Sequence, residues 1–123
     1  MAEVSYEYLT FGGKEVIIRK FVGKLTIKEV ADSFKYLIDE GKITDKCKGI
    51  VNDLTFAHFN PKMRDFKSFL KIVYATPILR KLKLPAVVLS AERNAFPFIV
   101  KLISGLNAQP FRNTNDAIDW ILE

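Results

Sequence analysis

The sequence predicts an α/β fold, a mixed sheet of four to five strands with about four helices in the order β-β-α-β-α-β-α-β-α. Gly12-Gly13, placed between two strand-like runs, is typical of a two-residue antiparallel hairpin. Beyond it, short apolar runs alternate with segments of helical periodicity, which is typical of parallel strands joined by helical crossovers. We therefore expect a sheet that is parallel except where the hairpin joins it, in one domain covering residues 1–123.

The first third of the chain supplies the hairpin and one helix. Residues 3–11 alternate loosely between apolar and polar side chains, and residues 16–22 form the returning strand. Thr26 and Glu29 have the spacing of a capping box, and Gly41 suits the left-handed position after the helix end. The apolar residues at helical spacing are Val30, Ala31, Phe34, Leu37 and Ile38.

The middle of the chain predicts a long strand followed by an interrupted helix. The strand runs over residues 47–59, and Asn60-Pro61 gives an N-cap with proline at the first helical position. Pro77 should break or kink the helix, because proline lacks the backbone donor and clashes with the preceding turn. Residues 78–82 then form a further helical stretch.

The last third predicts two strands and two helices. Residues 85–90 are nearly all apolar, as expected of a buried parallel strand. A helix follows over residues 96–106, and residues 108–111 form a short edge strand. Asn113 or Thr114 caps the final helix, whose inward residues are Ala117, Trp120 and Ile121.

No pattern of catalytic, metal-binding or phosphate-binding residues is present, so we expect neither an enzyme nor a cofactor. His58 is the only histidine and Cys47 the only cysteine, which excludes internal disulfides and a multi-cysteine metal site. Cys47 is interpreted as an inert side chain at a strand start. The alternative interpretation, a catalytic cysteine–histidine pair, could use only His58. Nothing pairs Asp45 with Asp53 by spacing, and Asp53 is interpreted as an ordinary polar residue at a strand end.

The location expected from the sequence is the cytoplasm. Glu3 and Glu7 lie where a secretory signal would carry basic residues, and no apolar signal region follows them. A single thiol fits a reducing compartment. No run approaches the roughly 20 apolar residues that cross a bilayer.

Three segments resemble the STAS domain of sulfate transporters and anti-sigma-factor antagonists. The resemblance covers nearly the whole chain and looks closest to the stand-alone STAS/Sec14-like proteins of bacteria. Residues 50–55, Ile-Val-Asn-Asp-Leu-Thr, resemble the family's central strand, and residues 85–90 resemble its next strand. Residues 111–121, with Phe111-Arg112 before Asp116-Ala117 and Trp120-Ile121, resemble its closing helix. The resemblance implies the STAS fold and a non-catalytic, regulatory role in protein contacts.

One departure from the family pattern limits what the resemblance implies. Anti-sigma-factor antagonists carry a phosphorylatable serine at the start of the second helix. The matching turn here is Pro61-Lys62-Met63-Arg64, which has no serine or threonine, and Ser68 lies a full turn further on. The resemblance therefore implies an interaction module without that phosphorylation switch.

The net charge of +5 is concentrated in one segment. Residues 60–83 contain seven Lys or Arg against Asp65 alone, so this segment carries +6 and the rest of the chain −1. This charge has two interpretations: a solvated helix face, or a contact surface for an acidic protein or an anionic membrane. No recognised motif favours nucleic acid. The proposed contact residues of this basic second helix are Lys62, Arg64, Lys67 and Lys71.

The predicted helix 96–106 is apolar most of the way round, whereas a surface helix normally has one apolar stripe. Deep burial would explain it, and so would an apolar patch or pocket for a homodimer, a partner or a lipid. The alternative function is therefore binding of a lipid or other apolar ligand. A homodimer would use this helix or the edge strand. The patch residues are Phe96, Phe98, Ile99, Leu102 and Ile103.

Overall fold

Five strands form one mixed sheet, in the spatial order β1-β2-β3-β4-β5. The computed structural model describes residues 2–59, 66–88 and 106–123. The strands are β1 (Glu3–Phe11), β2 (Lys14–Leu25), β3 (Cys47–Phe59), β4 (Lys83–Val87) and β5 (Asn107–Phe111). The helical elements are α1 (Ile27–Asp39), α2 (Phe66–Ala75), a 3-10 helix (Pro77–Lys81) and α3 (Thr114–Leu122). Among the described strands only β1 and β2 are antiparallel neighbours, which confirms the predicted mixed sheet.

The hairpin turn and the α1 cap form as their sequences predict. Gly12 and Gly13 have φ angles of 54° and 86°, the left-handed conformation that a two-residue hairpin requires. The Thr26 hydroxyl accepts a hydrogen bond from the Glu29 backbone at 3.1 Å, and the Glu29 carboxylate accepts one from the Thr26 backbone at 3.2 Å. Gly41, with φ of 66°, follows the C-cap.

Two further local predictions are confirmed at the other helices. α2 ends at Ala75, and Pro77 begins the 3-10 helix, because proline is tolerated in a first helical turn but not in a helix interior. Asn113, rather than Thr114, is the N-cap of α3, since its side chain accepts a hydrogen bond from the Asp116 backbone at 2.8 Å.

Two expectations from the sequence differ from the structure. Asp53 lies within β3 and not at a strand end, because β3 continues to Phe59. β4 begins at Lys83, two residues before the predicted start, because its pairing with β3 extends back to Gly49 and Lys83. The predicted start of the second helix at residues 60–61 and the predicted helix 96–106 lie outside the described residues, apart from the buried Leu106.

The alternating side chains of β2 divide the core into two layers. Ile17 and Phe21 belong to a larger cluster that includes Phe34 of α1 and Phe69 of α2. Val16 belongs instead to a smaller cluster beneath α3, on the opposite sheet face. We call the first face the α1/α2 face; it contains the internal site described next.

Candidate functional site

An arginine lies in the larger core. Arg19 occupies an inward position of β2 between Ile17 and Phe21, and its side chain is 1% exposed. Strand alternation forces this placement, since every second residue of β2 points to the α1/α2 face. A buried guanidinium loses its hydration, and this loss is costly unless nearby groups replace it.

Hydrogen bonds replace part of that hydration. Nε and Nη2 of Arg19 both donate to Oδ1 of Asn52, Nε at 2.9 Å, and Nη1 donates to the Val30 carbonyl at 3.1 Å. The Asn52 amide nitrogen donates to the carbonyls of Ile50 and Pro85, each at 3.2 Å. These contacts fix the Asn52 side chain with its oxygen toward Arg19.

Aromatic rings supply further stabilisation to the Arg19 cation. Its Cζ atom lies 3.9 Å from the ring centroid of Phe34 and 4.9 Å from that of Phe21, within the range of cation–π attraction. Burial lowers the pKa of Arg19 to about 9, while the nearby Tyr6 opposes the decrease. That pKa is above neutral pH, so Arg19 carries a positive charge at pH 7.

No carboxylate balances this charge in the part of the chain that the structure describes. The ion pairs there are two, and both lie on the exposed surface of α1. A cation held only by an amide, a carbonyl and aromatic faces is an unusual core component, because buried charges are normally paired.

A cavity of about 40 Å³ adjoins Arg19 and Asn52. A buried water needs roughly 10–15 Å³ by this measure, so the space admits about three water-sized groups. Among the described residues that line it, all except Arg19 and Asn52 are apolar, and they include Phe69, Leu84 and Ala108. The described residues therefore enclose a small apolar site with one cation in its wall.

The exposed side of α2 carries the second candidate site. Of the predicted contact residues, Lys67 and Lys71 are exposed on α2, whereas Lys62 and Arg64 lie outside the described residues. The opposite side of α2 places Phe69 and Val73 in the core. α2 is therefore amphipathic, with the two lysines on the side away from the core.

Two residues beyond the predicted set extend this surface. Tyr74 follows Lys71 by three residues, so it shares the face of the two lysines, and it is 62% exposed. The Cζ atom of Arg80 lies 5.3 Å from the Tyr74 ring centroid. None of the described cations here takes part in an ion pair. We call Lys67, Lys71, Tyr74 and Arg80 the basic face.

The remaining candidates do not form a reactive site. Cys47 is buried at the start of β3, burial raises the pKa of its thiol, and its sulfur lies 3.6 Å from the Gly49 carbonyl. His58 lies eleven residues along the same strand, on the order of 30 Å away, so the two cannot form a nucleophile–base pair. The five residues of the predicted apolar patch, 96–103, lie outside the described residues.

The described residues, 2–59, 66–88 and 106–123, contain neither a metal-binding cluster nor a membrane-spanning helix. No three His, Cys, Asp or Glu side chains there come close enough together to hold a metal ion. No helix in those ranges has the length and apolar character to span a bilayer.

Sequence reasoning missed the Arg19–Asn52 pair, although a signal for it exists. In β2, Arg19 takes the inward position between Ile17 and Phe21. In β3, Asn52 takes the equivalent position between Ile50 and Leu54. A polar residue in phase with buried apolar neighbours on each of two adjacent strands indicates an internal polar contact.

The comparisons with known proteins identify the fold. No family model matches the chain, and neither does any curated protein. A DUF3478-family protein with a SpoIIAA-like fold from Shewanella loihica matches with a TM-score of 0.69 at 14% identity, over 98% of this chain and 95% of that one. An anti-sigma factor antagonist from Mycobacterium paratuberculosis matches with a TM-score of 0.56 at 15% identity, over 98% and 96%. The chain therefore has the SpoIIAA-like fold that the STAS resemblance implies.

Proposed function

We propose that residues 1–123 form one STAS-type regulatory module that is not an enzyme, acts in the cytoplasm and binds an acidic partner protein through the basic face of α2. The observation that carries the proposal is the exposed Tyr74 next to Lys67, Lys71 and Arg80, none of which forms an ion pair within the described residues. The SpoIIAA-like fold, shared with an anti-sigma factor antagonist, supports a regulatory role.

The composition of this face favours protein binding over simple solubility. Tyrosine and arginine are enriched among the residues that dominate binding energy, whereas a merely solvated face needs no large exposed ring. Lysines around that ring accelerate encounter with an acidic protein surface and disfavour binding to basic surfaces. Lys62 and Arg64, which precede α2, are proposed to extend the same surface.

Affinity capture with charge-reversal variants tests the proposal. The wild type and Lys67→Glu/Lys71→Glu/Arg80→Glu are used as bait in lysate of the native organism, and captured proteins are quantified by mass spectrometry. We expect at least one acidic protein to bind the wild type and to be lost with the variant, and raising the salt concentration to weaken its binding.

A matched variant separates local from general charge effects. Lys14→Glu/Lys46→Glu/Lys48→Glu changes the net charge equally at exposed positions outside α2 and the 3-10 helix. It should retain the partner, and far-UV circular dichroism should show both variants folded. If every specific partner of the wild type also binds the basic-face variant, the basic face is not the working surface.

Binding of a lipid or other apolar ligand is the second candidate, and the cavity beside Arg19 favours it. The basic face would then hold the protein at an anionic membrane surface, where each basic residue contributes about 1 kcal/mol. The apolar patch of residues 96–103 is proposed to contribute to the same ligand site or to a homodimer. Native mass spectrometry of gently purified protein should show a bound ligand; an unliganded mass together with no flotation on anionic liposomes at low salt would exclude this candidate.

A further inference from the structure

Arg19 has more hydrogen-bond donors than the described residues satisfy. A guanidinium carries five N–H groups, and the hydrogen bonds to Asn52 and Val30 use one on each of its three nitrogens. One N–H on Nη1 and one on Nη2 therefore have no acceptor among the described residues. A side chain that is 1% exposed cannot satisfy them with bulk water.

The space next to these donors fits an acceptor group of defined size. The cavity of about 40 Å³ admits about three water-sized groups, the number of heavy atoms in a carboxylate. Trapped water would satisfy the two donors but would add no counter-charge to a cation that no described carboxylate pairs. A carboxylate does both, and its hydrogen bonds to a guanidinium are among the strongest in proteins.

The cavity walls restrict the rest of the ligand. Phe69, Leu84, Ala86 and Ala108 offer only hydrocarbon, and Asn52 already donates both amide hydrogens to backbone carbonyls. A second polar group on the ligand would find no described partner. A small acid with one carboxylate and no more than one or two carbons beyond it matches this volume and lining.

We propose that the cavity beside Arg19 binds a short aliphatic monocarboxylate of about the size of acetate, with Nη1 and Nη2 as donors to its carboxylate and its methyl group against the apolar walls. This inference rests on the ligand-binding candidate of the preceding section and specifies its chemistry. It is independent of the basic face, which lies on the exposed side of α2, whereas the cavity lies beneath its buried side.

Titration with matched acid and amide pairs tests the proposal. Formate, acetate and propionate, each paired with its neutral amide, are titrated into the full chain and followed by NMR chemical shifts and calorimetry at pH 7. At the chain length that binds best, the acid should bind at least about tenfold more tightly than its amide. Binding of neither up to about 10 mM would overturn the proposal and assign the cavity to water.

Variants at Arg19 show whether that residue causes the preference for the acid over its amide. Arg19→Met, which is similar in length and uncharged, should abolish the difference between acid and amide, and Arg19→Lys should retain part of it. Lys42→Met, which removes one exposed positive charge, should leave the difference unchanged. If Arg19→Met does not fold, Arg19→Lys and the pairs measured on the wild type still decide the outcome.

Two other results separate this inference from its alternatives. Equal affinity for acid and amide would overturn it while leaving the apolar-ligand candidate intact. The double variant Asp65→Asn/Glu92→Gln removes two acids that lie outside the described residues. If carboxylates bind that variant but not the wild type, an acid of the chain itself neutralises Arg19 and the proposal is wrong.

Discussion

The strongest energetic prediction concerns the buried pair of Arg19 and Asn52. Replacing Asn52 with leucine removes the oxygen that accepts from both Nε and Nη2, while Arg19 stays buried and charged. Leaving a buried charged donor without its acceptor costs about 3 kcal/mol, because the desolvated group loses the hydrogen bonds that compensated for its lost hydration. We therefore expect Asn52→Leu to lower the free energy of unfolding by about that amount.

A double-mutant cycle also needs the variant that removes the charge of Arg19 itself. Arg19→Met leaves the oxygens of Asn52 and Val30 without their donor, at about 1–3 kcal/mol, but it also ends the desolvation of a guanidinium. These two contributions oppose each other, so Arg19→Met should lower the free energy of unfolding by less than about 2 kcal/mol. The double variant Arg19→Met/Asn52→Leu should then be more stable than Asn52→Leu alone, with a coupling energy of about 2–3 kcal/mol.

Urea denaturation followed by circular dichroism measures the whole cycle. Asn107→Leu, at an exposed position of β5, is the matched control and should change the unfolding free energy by less than about 0.5 kcal/mol. If the two single changes add without coupling, or Asn52→Leu costs under about 1 kcal/mol, Asn52 does not stabilise the Arg19 charge.

Three further predictions concern packing, the thiol and assembly. Gly49→Ala should lower the free energy of unfolding by about 1–3 kcal/mol, because a Cβ at this position would lie 2.5 Å from the Lys83 carbonyl oxygen and 2.7 Å from Ile121. Lys48→Ala is the exposed control. Equal urea midpoints for the two variants would contradict the close packing at Gly49. Cys47 should react with iodoacetamide far more slowly in the folded chain than in urea, because burial raises the pKa of its thiol. Equal reaction rates at pH 7 in the folded and the unfolded chain would refute the burial of Cys47. The homodimer expected from the sequence should appear in light scattering, and a monomer at high concentration would exclude it.

Features encoded within a few residues were predictable from the sequence. Gly12 and Gly13 permit the left-handed turn of the hairpin, Thr26 and Glu29 satisfy the first amides of α1, and Pro77 ends α2. Each depends on the conformational limits of one residue or on a hydrogen bond spanning three residues. The alternation of strands and helices then determined the mixed sheet, because parallel strands require crossover connections.

The internal site depends on contacts between distant parts of the chain. Arg19 and Asn52 lie 33 residues apart and meet because β2 and β3 pair in a register that places them side by side. The close approach of α3 to Gly49 likewise depends on how that helix packs on the sheet. The alternation of apolar and polar residues along a strand shows which side chains point inward. Which of those side chains touch is decided only by the register of the paired strands and by the packing of α1 and α2. The sequence by itself therefore determined the fold and the cationic character of the second helix, whereas the tertiary structure placed a buried arginine, paired with no described carboxylate, beside a cavity.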